Sequence, residues 1–118
     1  MQTFRVFDFP PTLNELNNLH YRVRAKKKEE WSKIVYNACN EFDIKPVMKT
    51  IITLEFYFPD KRRRDPDNYS FSAKFIFDGL VDAGILIDDS FKEVQELRIR
   101  QGGISKPKHI LIHLEEVS

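Results

Sequence analysis

Cysteine is nearly absent from this chain, glycine is sparse, and no apolar run is long. Cys39 is the only cysteine, which excludes an internal disulfide and any zinc site built on cysteine pairs. A reducing, cytoplasmic setting is therefore expected. No stretch approaches the roughly 20 apolar residues needed to span a bilayer, so no membrane association is expected. The opening MQTFRVFDFPP holds an acid, two prolines and no long apolar segment, and is not expected to act as a signal peptide. A P-loop, a Gly-rich dinucleotide motif and a nucleophile elbow are also missing, and no small-molecule cofactor is expected. A calcium loop counted from Asp65 fails, because neither the sixth-position glycine nor the twelfth-position glutamate is present. His20, His109 and His113 are too scattered to form a metal site; the last two share one face of a strand and are expected to be exposed.

Repeats, low-complexity tracts and long linkers are absent too, so residues 1–118 read as one domain. A chain of this size buries a limited share of its surface, and a dimer with a shared core is expected. What is present is sorted charge. The net charge is only +1, yet His20–Lys28 carries basic residues and no acid, and Lys61, Arg62, Arg63 and Arg64 are consecutive. Arg98, Arg100, Lys106 and Lys108 again have no acid among them. From Asp65 to Glu96 acids predominate, with only Lys74 and Lys92 against them. Any one basic run is most simply a solvated face; three around one acidic centre suit a polyanion held beside bound metal.

The periodicity predicts the elements. Thr3–Phe9 reads as a strand, ended by Pro10-Pro11. Thr12–Arg24 lacks apolar periodicity and reads as a loop that orders on binding. Trp31, Ile34, Val35, Ala38, Cys39 and Phe42 recur at helical spacing, predicting a helix from about Lys26 to Phe42. Alternation predicts a strand over Thr50–Phe58. A second helix is expected from about Asn68 to Asp82, with Gly84 at its C′ position. Ile85–Ile87 is a short apolar stretch. Two further strands, Val94–Gln101 and Lys108–Glu116, are expected to join through Gly102-Gly103 and Pro107. The order β-α-β-α-β-β predicts an α+β two-layer fold, helices packed on a mixed sheet.

The segment from Phe58 to Ser90 holds the chemistry. Asp65 and Asp67 flank Pro66, which biases Asp65 toward an extended conformation, so alternate side chains can be aimed at one point. Asp88 and Asp89 follow the second helix, which is expected to return them to the same end of the sheet. Four carboxylates of this kind suit one or two hard cations, and Mg²⁺ in particular, which keeps waters for itself and for phosphate. Phosphodiester hydrolysis needs an activated water and a neutralised leaving oxygen, which such ions supply. Arg62–Arg64 can grip neighbouring phosphates, and Lys74, on the same helix face as Asp67, can offset developing charge. Plainer readings stand beside these: Asp67 as a helix N-cap, Lys74 paired with Asp78 at i+4, Asp88-Asp89 as turn residues.

The ordered set Arg63-Arg64-Asp65-Pro66-Asp67-Asn68, Lys74, Asp78-Gly79-Leu80, Ala83-Gly84 and Asp88-Asp89 resembles the signature of the RusA family of Holliday-junction resolvases. Pro10-Pro11-Thr12-Leu13-Asn14 is similar to that family's proline-rich, asparagine-containing N-terminal element. The resemblance implies a homodimeric, Mg²⁺-dependent endonuclease, of a kind often encoded by prophages, that resolves four-way DNA junctions by paired nicks. It places the essential acids on Asp65, Asp67 and Asp89, with Asp88 beside them, and the essential lysine on Lys74. That lysine lies three residues further from the paired aspartates than is usual in the family. Contact with DNA is expected from Lys61, Arg62, Arg63 and Arg64, and from Asn14, His20, Arg22, Arg24 and Lys26. Two other classes remain: a metal nuclease acting on flaps or forks, and a DNA-binding module without catalysis.

Overall fold

Thr50–Phe58 alternates apolar and polar residues, and those same residues form strand β2. The computed structural model describes residues 1–118. It places β2 in a four-stranded sheet with β1 (Gln2–Val6), β3 (Val94–Ile104) and β4 (His109–Glu116), in the order β1-β4-β2-β3. β4 runs antiparallel to both β1 and β2, whereas β2 and β3 are parallel, which makes the sheet mixed as expected. The two-residue period gathers Phe4, Ile52, Leu54, Phe56, Ile110, Ile112 and Leu114 on one buried face.

Helices α2 (Tyr21–Glu41) and α4 (Ala73–Asp82) contribute to the cover of that face. From α2 come Trp31, Val35, Ala38 and Cys39; from α4 come Phe75, Ile76, Gly79 and Leu80. Burial pushes the Cys39 thiol up to about 11, as befits a core residue. α4 ends in a Schellman motif. Ile85 N–H donates to the Leu80 carbonyl and Gly84 N–H to that of Val81, with Gly84 at φ 75°. Gly84 thus occupies the C′ position that its place in the sequence predicts.

Four boundaries differ from expectation, each for a local reason. Thr12–Arg24 is not a loop: it contains α1 (Leu13–Asn17) and the first turn of α2. Thr12 and Glu15 form a reciprocal capping box, and His20 caps α2 by accepting the Arg22 N–H at Nδ1. β1 stops at Val6, and the Asp8 carboxylate takes up the Phe9 N–H at 2.7 Å. The second helix is interrupted, giving α3 (Pro66–Ser70) before α4. At the break Ser72 is fully buried, and its hydroxyl donates to the carbonyls of Pro10 and Pro11, while Ser72 and Lys74 N–H turn to i−3 acceptors. Finally, β3 runs straight through Gly102-Gly103. Gly102 sits at a register shift, where a side chain would overlap the Tyr57 ring.

Parallel pairing sets the path of the segment between β2 and β3. Thr50 pairs with Val94, so the chain leaves the end of β2 at Phe58 and must return to the start of β2 before entering β3. Val94 thus enters β3 at the end of the sheet opposite Phe58, and Asp89, five residues earlier, lies 3.0 Å from Lys74 near the start of α4.

The closest approach of α2 to α4 depends on Gly79, where an added Cβ would come within 2.7 Å of Val35 Cβ. Gly79→Ala should lower stability by about 1–3 kcal/mol through overpacking, outweighing a helix-propensity gain of about 1 kcal/mol. Urea unfolding of Gly79→Ala, Val35→Ala and the double variant checks it: the double variant should lose less than the two single losses added together. Simple additivity would mean that the two residues do not share a contact.

Candidate active site and nucleic-acid interface

Asp65 adopts φ −105° and ψ 127°, the extended conformation expected ahead of a proline, and Pro66 opens α3. Asp65 is the residue at the N-cap position, yet its side chain makes no capping bond; Asp67 lies within the first turn. The N-cap reading of Asp67 is thereby excluded, and neither carboxylate is committed to the helix backbone. Asp65 has only a loose contact with Arg63, Nε to Oδ1 3.4 Å. Asn68 faces the N-terminal element, its side-chain oxygen accepting the Asn14 N–H at 3.1 Å. Asn14 and the paired aspartates, far apart in sequence, thus share one neighbourhood.

The second acidic turn is joined to this region through Lys74. Its ammonium lies 3.0 Å from Asp78 and 3.0 Å from Asp89. The i+4 pair with Asp78 is therefore real, and so is the longer-range pair with Asp89. Hydrogen bonds to Asp78 and then Asp89 push the Lys74 pKa up. The hydrogen bond from Lys74, working against partial desolvation, holds Asp89 below the usual carboxylate range. Asp78 also meets Lys28 of α2, at 3.6 Å. Asp88 turns back to accept the Asp89 N–H at 2.8 Å. No group of three or more histidine, cysteine or acidic side chains is arranged to hold a metal ion. Asp65, Asp67, Asp88 and Asp89 are therefore not preassembled, and Asp89 is neutralised by a lysine instead.

The basic run after β2 divides by task. Asp60 accepts the Arg62 backbone N–H, the Arg62 Nε and the Arg64 guanidinium, and these bonds, that backbone bond foremost, lower its pKa to about 2. Arg64 also donates to the carbonyls of Asp60 and Arg62 and lies over the Phe58 ring at 4.4 Å; with its side chain 13% exposed, it is part of the loop's structure. Arg63 is 89% exposed at its side chain, and Lys61 is also exposed. Asp60 is the residue that reading the sequence missed. The signal was available in its position two residues before Arg62, where an aspartate accepts the i+2 N–H.

His20, Arg22, Arg24 and Lys26 belong to the first turns of α2, all exposed, ahead of its first buried residue, Trp31. Arg22 and Arg24, in the first turn, oppose the helix macrodipole, and no acid there offsets them. Between α2 and the arginine loop lies a cleft of about 560 Å³, lined by Lys27, Arg62, Arg63 and Lys108 together with the acids Asp8, Glu15 and Glu30, and by Phe9 and Tyr69. His113 departs from its expected exposure. It is half-buried on the sheet face away from the helices, its Nδ1 paired with Thr3 Oγ1 at 2.9 Å and its Nε2 3.5 Å from Glu55.

Fold and site together define a small α+β protein in which two acidic turns are set among basic arms. Over 128 aligned residues the chain is 28% identical to crossover junction endodeoxyribonuclease RusA of Escherichia coli K12, covering 99% of this chain and 98% of that protein. The RusA protein of Shigella sonnei matches with the same identity and coverage. No protein-family model matches the chain.

The shifts at Lys74 and Asp89 give opposite limits to one ion pair. Asp89, lowered, contributes above the ordinary carboxylate range and loses its contribution as pH falls through its depressed value. Lys74, raised, contributes below the ordinary lysine range and loses it as pH rises through its elevated value. The pair should hold through the whole neutral window. In Asp89→Asn the Lys74 pKa should fall while staying supported by Asp78, as read by NMR titration of the lysine side chain. An unchanged Lys74 titration would show that Asp89 is not its partner in solution.

Proposed function

We propose that the chain is a Mg²⁺-dependent endodeoxyribonuclease that resolves four-way DNA junctions by paired nicks. The observation that carries this reading is similarity to RusA proteins along nearly the whole chain, together with the Asp65-Pro66-Asp67 turn and the Lys74–Asp89 pair on one crossover. The donor chemistry suits the ion, because the aspartates offer hard oxygen ligands, and Mg²⁺ would compete with the Lys74 ammonium for Asp89. Asp65, Asp67 and Asp89, with Asp88 beside them, would hold Mg²⁺. When bound, the ion supplies water activation and charge neutralisation.

The chain's own residues do the rest. Lys74 stays protonated at neutral pH and acts as a fixed positive charge beside the phosphate rather than as a proton carrier. Lys61 and Arg63 are free to meet phosphates, while Asp60 and Arg64 hold the loop that presents them. His20, Arg22, Arg24 and Lys26 extend the contact along α2, and Asn14 lies beside the acidic turn. Paired nicks require two such sites, and one chain supplies one set, so a two-fold dimer is part of the proposal. A cytoplasmic setting accompanies it.

A second reading has an observation in its favour. Because the carboxylates are not preassembled, the chain also suits a role as a DNA-binding module without catalysis. Cleavage assays on four-way, forked and linear DNA, with Mg²⁺ and with EDTA, separate the two. The first reading predicts Mg²⁺-dependent symmetric nicks on the four-way substrate, lost by at least about a hundredfold in Asp65→Asn, Asp67→Asn and Asp89→Asn with binding retained. Binding without nicks in the wild-type chain would establish the second reading, and preferential cutting of forks would redefine the substrate.

Arg63→Ala should weaken binding uniformly across DNA sequences and reduce the magnitude of the salt slope by about one. Arg62→Ala should also disturb the Asp60-centred loop. A salt slope unchanged in Arg63→Ala would remove that residue from the interface.

A further inference from the structure

The loop between α4 and β3 shows apolar side chains to solvent on both sides of its two aspartates. Ile87 is 76% exposed and Phe91 88% exposed. A single exposed apolar residue needs no explanation. Here the backbone is held firmly while the rings and methyls stay outside. Ile85 and Leu86 are buried, and the Ile85 carbonyl accepts the Val47 N–H at 2.9 Å. Beyond Asp89, Ser90 closes a turn: its carbonyl accepts the Glu93 and Val94 N–H groups, and its hydroxyl donates to the buried Glu93 carboxylate at 2.7 Å. The Phe91 carbonyl is itself held by the Gln95 amide at 2.8 Å. Loose chain is thus not the cause of the exposure; a tied turn displays the ring.

Its surroundings identify what the ring meets. Phe91 stands two residues from Asp89, whose carboxylate is paired with Lys74, and directly before the exposed Lys92. An exposed ring two residues from the proposed metal ligand Asp89 and next in the chain to an exposed lysine has the chemistry of a nucleic-acid wedge: cations can receive phosphates while a ring stacks on an exposed base. A continuous duplex offers no such base face without paying to unstack it, whereas a branch point already does. We infer that Phe91 is a wedge that stacks on the unpaired face of the base pair at a DNA branch point, making the loop a reader of branched structure. This inference rests on the proposed junction-resolving activity and adds to it a residue that selects the substrate.

The test uses the full chain and a four-way junction carrying 2-aminopurine at the branch, with the same base placed well inside an arm as control. Phe91 is exposed, so Phe91→Ala should fold, which circular dichroism verifies. In EDTA, the wild-type chain and Phe91→Trp should change the branch-point emission, and Phe91→Ala should not. Affinity of Phe91→Ala for the junction should fall roughly ten- to a hundredfold with duplex affinity unchanged. Wild-type nicking with a Phe91→Ala variant that keeps both junction preference and the emission change would overturn the wedge and leave the proposed function standing. A wild-type chain that neither prefers nor nicks four-way DNA would overturn both. If Phe91→Ala instead converts a dimer to monomer in sedimentation, the ring covers a second copy of the chain and the assignment to DNA is wrong.

Discussion

Parallel pairing of β2 with β3 is the constraint from which the rest of this molecule follows. Two parallel strands cannot be joined by a tight turn, so the chain must cross the sheet and come back to its starting end. That crossover carries α3 and α4, the cover of the core, and also both acidic turns. Structure and candidate chemistry are therefore written on one segment. The same geometry takes the chain from the far end of β2 back to its first residue, where β3 begins. Lys74, early in α4, meets Asp89 late in the crossover.

Charge organises the exposed half of the structure more than burial does. Asp60 turns a repulsive run of arginines into a shaped loop by absorbing the inward-facing donors. The effect is to leave Lys61 and Arg63 facing solvent while Arg64 lies flat on Phe58. At Lys74 the roles are reversed, and one cation keeps two carboxylates apart from each other's charge. Both arrangements persist at neutral pH, because the two aspartates that anchor them, Asp60 and Asp89, are held below the ordinary carboxylate range. The arm formed by the start of α2 has no such compensation, and its cations oppose their own helix dipole. A polyanion alongside would relieve that strain.

The N-terminal element is tied to the crossover by polar bonds as well as by packing of its buried prolines. Ser72 reaches the carbonyls of Pro10 and Pro11, and Asn68 receives the Asn14 N–H. The hydroxyl bond coincides with the break between α3 and α4, so the interruption is the local adjustment that accompanies docking of the proline turn. Aromatic contacts among Phe9, Phe56, Phe58 and Tyr69 fill the space beneath.

Periodicity by itself determined the elements whose burial is strongest: the bounds of β2, the core stripe of α2 apart from Phe42, which is exposed beyond the helix end, the glycine stop of α4, and the mixed α+β class. These are properties of adjacent residues, since alternation and helical spacing act over a few positions. The capping box at Thr12 and Glu15 is equally local, yet it went unread because it lay in a stretch without apolar rhythm. The site was legible as a set of residue types and not as an arrangement. Which end of the sheet receives the start of β3 depends on strand direction, which no neighbouring residue encodes. Nor does the sequence say that Lys74 spans Asp78 and Asp89, or that Arg64 turns inward while Arg63 points out. Those were decided only by tertiary structure, because they follow from long-range pairing and from competition among charges brought together by the folded chain.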